Sequence, residues 1–190
     1  MFRDQKKYEE YAYILDYLPH GRPGSARTTH TATGVIQMIG DTYFTLLEAT
    51  PQKDAEYNIR EKIFVGKGDR ALVGHILGRI NYEELTSASK AELPLVIENI
   101  VIDNEKRFIE FINESQSLTP RMHSLELIPG IGKRLMFQIL DLRERVPFVS
   151  YQDVKDRVNL TDPVKLIAKR VLKELSEDEK YYLFIRPMRE

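Results

Sequence analysis

Leu127-Ile128-Pro129-Gly130-Ile131-Gly132-Lys133-Arg134 is the most specific run in this 190-residue chain. Pro129 has no backbone N–H and helps end the preceding helix. Gly130 and Gly132 let the backbone turn tightly and leave a ligand room to approach the exposed amides. Met136, Ile139, Leu140 and Arg143 follow at helical spacing, which predicts a helix from about Lys133. Its unpaired first amides and the positive end of its dipole then point at the same hairpin, where an anion can sit. Lys133 and Arg134 oppose the macrodipole at this end by about 0.3–1 kcal/mol each when exposed. A bound phosphate accounts for their placement better than stability does. The plain alternative is a tight interhelical connection carrying two solvated cations.

Downstream, Pro147-Phe148-Val149-Ser150-Tyr151-Gln152-Asp153-Val154 predicts a further helix, capped by Ser150 with Asp153 at its third position. Asn159-Leu160-Thr161-Asp162-Pro163 then leads into a helix over 164–175, with Thr161 or Asp162 as cap and Pro163 at the first position. Lys165, Lys169, Arg170 and Lys173 give that helix a basic face. Residues 121–175 resemble tandem helix-hairpin-helix domains. The resemblance implies sequence-independent contacts to a sugar-phosphate backbone through Gly130, Ile131, Gly132, Lys133 and Arg134. Two departures stand out. The second hairpin lacks the family's glycines and reads as structurally intact but chemically blunted. Met136 and Gln138 occupy positions where the family often has small alanines.

Upstream, residues 11–80 alternate with period two between Gly, Pro and Asp clusters, the pattern of an antiparallel β-domain. Strands are predicted at 11–17, 34–39, 43–49, 59–65 and 72–80, enough for a small barrel. Gly40-Asp41 reads as a two-residue turn with glycine first. Residues 19–33 form a basic loop without a carboxylate, carrying Arg22, Arg27 and His30. Between 94 and 115 the apolar positions Ile97, Ile100, Val101, Phe108, Ile109, Phe111 and Ile112 predict one long helix, with Pro94 in its first turn.

The 28 basic and 29 acidic residues nearly cancel, so any electrostatic attraction must be local. Residues 83–114 hold eight acids against three bases, and residues 121–173 eleven bases against six acids. The expected organisation is a barrel over 1–82, a helical connector over 83–120 and an all-α domain with a C-terminal tail over 121–190. Cysteine is absent, which excludes disulfides, thiolate nucleophiles and cysteine metal sites. No run approaches the roughly 20 apolar residues of a membrane span and no signal core opens the chain, so a cytoplasmic protein without membrane contact is expected.

Over its whole length the chain is similar to an archaeal family of uncharacterised proteins predicted to bind nucleic acid. The similarity rests on Tyr11-Ala12-Tyr13-Ile14-Leu15-Asp16-Tyr17, on Glu105-Lys106-Arg107-Phe108 with Phe111-Ile112-Asn113, and on residues 125–133. It implies an α+β fold: a five-stranded OB-like β-barrel, a long connecting helix and a C-terminal helix-hairpin-helix domain. The implied function is RNA or DNA binding without catalysis or cofactor. Barrels of this type bind oligonucleotides by aromatic stacking beside cations, which makes Tyr43, Tyr57 and Phe64 stacking candidates and Lys67 and Arg70 backbone contacts. Arg22, Arg27, His30, Lys165, Lys169 and Arg170 complete the secondary set. Core packing and plain solvation are the competing roles for all of these.

Two other readings stay open. The hairpins can be a purely structural helical bundle whose acidic connector docks a ribosomal or other basic protein. A DNA-repair-type enzyme is the third, but Asp141 has nothing to separate it from a solvated acid. His20, His30, His75 and His123 lack the spacing of a metal site. Neither Gly66-x-Gly68 nor Gly130-x-Gly132 continues into a P-loop or dinucleotide turn.

Overall fold

Alternating β-branched and aromatic residues draw the N-terminal part into an antiparallel sheet. The computed structural model describes residues 8–21 and 34–187. In it, β1 (Tyr11–Leu18), β2 (Val35–Gly40), β3 (Leu46–Pro51), β4 (Lys62–Phe64) and β5 (Val73–Arg79) lie in the order β4-β1-β2-β3-β5. All five expected strands form. No ladder joins β4 to β5 among the described residues, so the sheet is a curled half-barrel rather than a closed barrel.

The curl has a local cause. Ile14 pairs with Met38 and Asp16 with Gln37, which leaves Leu15 as an extra residue in β1. Such a bulge bends the strand and strengthens its twist. Ile14 and Leu15 are both fully buried. Ala12, Ile14, Ile36, Met38, Leu47 and Val73 belong to one apolar cluster of the sheet. Gln37 is buried too, and its amide is satisfied: Nε2 donates to Glu48 Oε1 (2.9 Å) and the Glu84 carbonyl (3.1 Å), while Oε1 accepts from Ser89 Oγ (2.7 Å) and the Thr86 amide (2.9 Å).

Two local expectations are corrected. Gly40-Asp41 is not a two-residue turn; residues 41–45 form a longer loop closed by Gly40 N–H donating to the Thr45 carbonyl (2.9 Å). The buried Glu9 carboxylate fills it, accepting from the amides of Thr42, Tyr43 and Thr45 at 3.0 Å each. Glycine is required at position 40 because a Cβ there would collide with the Glu9 side chain.

The single long helix is in fact two. α1 (Ser87–Asp103) begins seven residues ahead of Pro94, which lies inside it, because Thr86 Oγ1 accepts from the Ser89 amide (3.0 Å) and starts the helix there. α2 (Glu105–Glu114) follows a break at Asn104, whose side-chain amide takes the Ile100 carbonyl (2.8 Å).

A short pair of strands, β6 (Ser117–Thr119) and β7 (Met122–His123), precedes α3 (Lys133–Arg145), α4 (Tyr151–Val158) and α5 (Pro163–Ser176). These helices bury Met136 and Ile139, Val154 and Val158, and Ile167, Ala168 and Val171 respectively. The Tyr151 hydroxyl donates to the Val101 carbonyl (2.7 Å) and its amide to Glu105 Oε1 (2.6 Å), tying the start of α4 to α1 and α2. Burial pushes this phenol's pKa up.

The described residues group into two units. The first holds residues 8–96 and the tail from Phe184, and the second is Ile97–Leu183. The described part of the tail forms no strand. Within the first unit the Arg186 carbonyl accepts from Arg79 Nη2 (2.9 Å) and the Arg186 guanidinium lies 5.4 Å from the Tyr43 ring centroid.

Candidate nucleic-acid interface

The hairpin is set up by the 3-10 turn Ser124–Leu127, which lies immediately before it. His123 caps that turn reciprocally with Glu126: its Nδ1 accepts from the Leu125 amide (3.1 Å), and its own amide donates to Glu126 Oε1 (2.8 Å). The Ile131 amide then donates to the Ile128 carbonyl (3.0 Å), closing the turn with both isoleucines buried. Gly130 has φ +89°, a conformation that a side chain would strain, although a Cβ there would only reach ordinary contact with Leu166 at 3.4 Å. Ile131 is therefore the anchor of the hairpin rather than part of its exposed surface.

Gly132 is the N-cap of α3, which starts at Lys133 where the spacing placed it. It is exposed, and nothing lies within 4 Å of the position a Cβ would take. No side chain caps this helix, and the amides of Lys133, Arg134 and Leu135 have no acceptor among the described residues. Lys133 and Arg134 are both exposed beside them.

The other two helices of this region end differently. Ser150 Oγ accepts from the Asp153 amide (3.0 Å) at α4, and Asp162 Oδ1 from the Lys165 amide (3.1 Å) at α5, with Pro163 in the first position. The second hairpin thus carries its own carboxylate where the first is open. Arg143 is structural: its guanidinium donates to the carbonyls of Ile112 and Ser115 (2.7 Å each), tying α3 to the end of α2. Met136 is buried, and Gln138 is exposed with its amide reaching the Arg157 carbonyl (3.4 Å).

His123 makes this turn sensitive to pH. Burial, and next the nearby Arg143 charge, lower its pKa from the ordinary imidazole range. The folded protein therefore resists protonation at His123 more than the unfolded chain does. Its contribution to stability is full above about pH 6.5 and is lost as pH falls toward the lowered value. We expect stability to decline as pH falls below about 6.5, the ordinary imidazole value, and the decline to flatten in His123→Asn. Denaturant titrations over that range check this, and an equal slope in the variant would contradict it.

The secondary residues fare unequally. Arg170 is corrected: it is 1% exposed, donating from Nε to Glu174 Oε1 (2.8 Å), from Nη1 to Glu179 Oε2 (3.0 Å) and from Nη2 to the Tyr181 carbonyl (2.5 Å). Lys173 is paired with Glu179 (2.9 Å). The basic face of α5 reduces to Lys165, itself 3.6 Å from Asp162, and the exposed Lys169.

In the first unit, Arg70 holds its own loop, its guanidinium donating to the carbonyls of Val65, Gly66 and Gly74. The Tyr57 hydroxyl donates to the Leu72 carbonyl (2.8 Å) and its ring packs 4.7 Å from that of Tyr17. Every residue of β2 is buried, so that strand offers no stacking surface. Lys67 is exposed, and Phe64 lies against Tyr11. Arg22, Arg27 and His30 lie outside the described residues.

Asp141 is ion-paired with Arg145 (2.9 Å) on an exposed face. No group of three metal-ligating side chains occurs among the described residues, and no described helix is long and apolar enough to cross a membrane. Tyr8, Tyr11 and Lys62 are not among the sequence candidates; the β1–β4 ladder sets Tyr11 opposite Phe64 and Tyr13 opposite Lys62, and Tyr8 lies against Lys67.

The chain is 39% identical over 183 residues to the uncharacterized protein MJ0038 of Methanocaldococcus jannaschii, covering 95% of this chain and 82% of that one. The crystal structure of Af1531 from Archaeoglobus fulgidus superposes with a TM-score of 0.84 at 41% identity, over 94% of this chain and all of the other. Residues 8–186 match the family model described as "Protein of unknown function (DUF655)", and the chain belongs to that archaeal family.

Proposed function

We propose that this protein binds nucleic acid without catalysis, gripping the sugar-phosphate backbone of RNA or DNA through the 129–132 hairpin with no base specificity. In this reading residues 121–190, with α3, α4 and α5, are a helix-hairpin-helix domain with a C-terminal tail, and the half-barrel is OB-like. The strand order β4-β1-β2-β3-β5 suits a five-stranded OB-like sheet that has not closed.

One observation carries the reading. Among α3, α4 and α5, only α3 begins without a side-chain cap, and that same end bears two exposed cations. Left in water, this arrangement costs stability twice over. With a phosphate on the amides of Lys133 to Leu135, both costs become attractions.

The test is fluorescence anisotropy with labelled single-stranded and duplex RNA and DNA, titrated across salt concentrations. Removing two phosphate contacts in Lys133→Ala/Arg134→Ala should make the slope of log K against log salt shallower by about 1.4–1.8, because each contact contributes about 0.7 on single strands and about 0.9 on duplex DNA. An unchanged slope in a folded double variant would leave the hairpin structural and redirect attention to a basic protein docking on residues 83–114.

A further inference from the structure

The β1–β4 edge of the first unit carries aromatic rings interleaved with ammonium groups. Tyr11 pairs with Phe64 in the ladder, their ring centroids 5.6 Å apart and edge to face, and Tyr13 pairs with Lys62 at the other end of the same short ladder. Lys62 Nζ lies 5.2 Å from the Tyr11 centroid and 5.7 Å from that of Tyr13. The amides of Val65 and Gly66 both donate to the Glu10 carbonyl (2.8 and 3.1 Å), which carries the row on to Tyr8, whose ring centroid is 5.3 Å from Lys67 Nζ. The Phe64 ring lies over Gly66, where a Cβ would come within 2.8 Å of it.

Tyr13 is buried and Phe64 half-buried, while the other groups of the row reach solvent. Tyr8 is 58% and Tyr11 41% exposed. Lys67 is exposed and has no carboxylate partner among the described residues, whereas Lys62 is held by Asp41 at 2.8 Å. Of the neighbouring acids, Glu9 is turned inward onto the 41–45 loop and Glu10 is exposed.

We infer that Tyr8, Tyr11 and Phe64, with Lys67 and Lys62 beside them, form a stacking site for unpaired nucleobases in a single-stranded segment. The inference rests on the nucleic-acid reading above and gives it a ligand class. A row that alternates π-faces with ammonium groups matches a polymer that alternates bases with phosphates, and every base has a face to offer. The site lies on the edge pair β1–β4, away from the fully buried β2. Stacking demands unpaired bases, so the row selects single strands where the hairpin grips phosphate without discrimination.

An abasic oligomer separates the two contacts. Wild type should bind an oligothymidylate at least about tenfold more tightly than an abasic oligomer of equal length, since base stacking on one ring is worth roughly that factor or more. The chain has ten tyrosines and no tryptophan, so quenching of tyrosine emission by the thymidylate reports the stack directly. In Tyr8→Ala/Tyr11→Leu the ratio should fall to about one, with abasic affinity unchanged and quenching reduced. Tyr8→Ala alone, at an exposed position, should lower the ratio in the same direction should the double variant unfold.

Lys133→Ala/Arg134→Ala should weaken both oligomers equally and leave the ratio intact. If that variant loses nothing while the ratio still depends on the tyrosines, the hairpin reading fails and the stacking site stands. Equal wild-type affinity for the two oligomers, or a ratio indifferent to the tyrosines, overturns the stacking site and leaves the row to a protein partner. Binding of neither oligomer overturns both.

Discussion

Gly132→Asp should stabilise the protein and weaken its grip on nucleic acid at the same time. Gly132 already has N-cap backbone angles, φ −83° and ψ 176°, and a Cβ there meets nothing within 4 Å. The new carboxylate can therefore accept from the first-turn amides of α3, as Asp162 does from Lys165 at the start of α5. It should also attract Lys133 and Arg134. We expect a gain of a few tenths of a kcal/mol to about 1 kcal/mol in stability. Affinity for single-stranded or duplex nucleic acid should drop about 10- to 150-fold, because a charge-assisted phosphate contact worth about 1.5–3 kcal/mol is displaced by a fixed negative charge.

Gly132→Ala separates the causes. It adds a Cβ into open space without a carboxylate and should keep affinity within about twofold while slightly lowering stability. Anisotropy and urea denaturation on the three proteins read both axes. If Gly132→Asp gains stability but binds as wild type does, the open end of α3 is not where phosphate sits.

Arg170→Ala should destabilise the fold severely, by about 3–5 kcal/mol. The guanidinium is buried, and its partner Glu174 has a side chain that is 0% exposed. Removing Arg170 takes the cationic partner from that buried carboxylate and one partner from Glu179, and leaves the Tyr181 carbonyl without its Arg170 donor. Glu174 Oε1 also accepts from the Leu183 amide (2.8 Å), so the same cluster holds the chain as it leaves α5. Because the two residues act as one unit, Arg170→Ala/Glu174→Ala should cost less than the sum of the single changes. Below the unfolding transition, nucleic-acid affinity of Arg170→Ala should match wild type, since the side chain does not reach the surface. A denaturation free energy within about 1 kcal/mol of wild type would show that the cluster is not a working ion pair.

Whether a feature could be read in advance followed the range of the interaction behind it. The start of α3 at Lys133, the Ser150 cap and the Asp162-Pro163 start of α5 depend on residues within one turn of each other, and local chemistry suffices for them. The five strands were legible as short apolar runs between Gly, Pro and Asp breakers, although β1, β2 and β3 each hold at least four consecutive buried residues and of the longer strands only β5 alternates. Gly40 was misread because glycine invites a turn, whereas its actual reason is the Glu9 carboxylate arriving from another segment. Pro94 was misplaced for a related reason, since the Thr86 cap upstream starts α1 early enough to leave the proline inside.

By itself, then, the sequence determined the five strands, the α3–α5 helices and a glycine-bearing turn into α3 followed by two exposed cations, because each is set by neighbours along the chain. Only the tertiary structure decided that Arg170 is buried, that Arg70 and Tyr57 are spent on their own loops, and that Tyr8, Tyr11, Phe64 and Lys67 share one edge. Those roles come from which distant segments meet: desolvation, ion pairing and exposure are properties of the packed neighbourhood and have no signature in residue order.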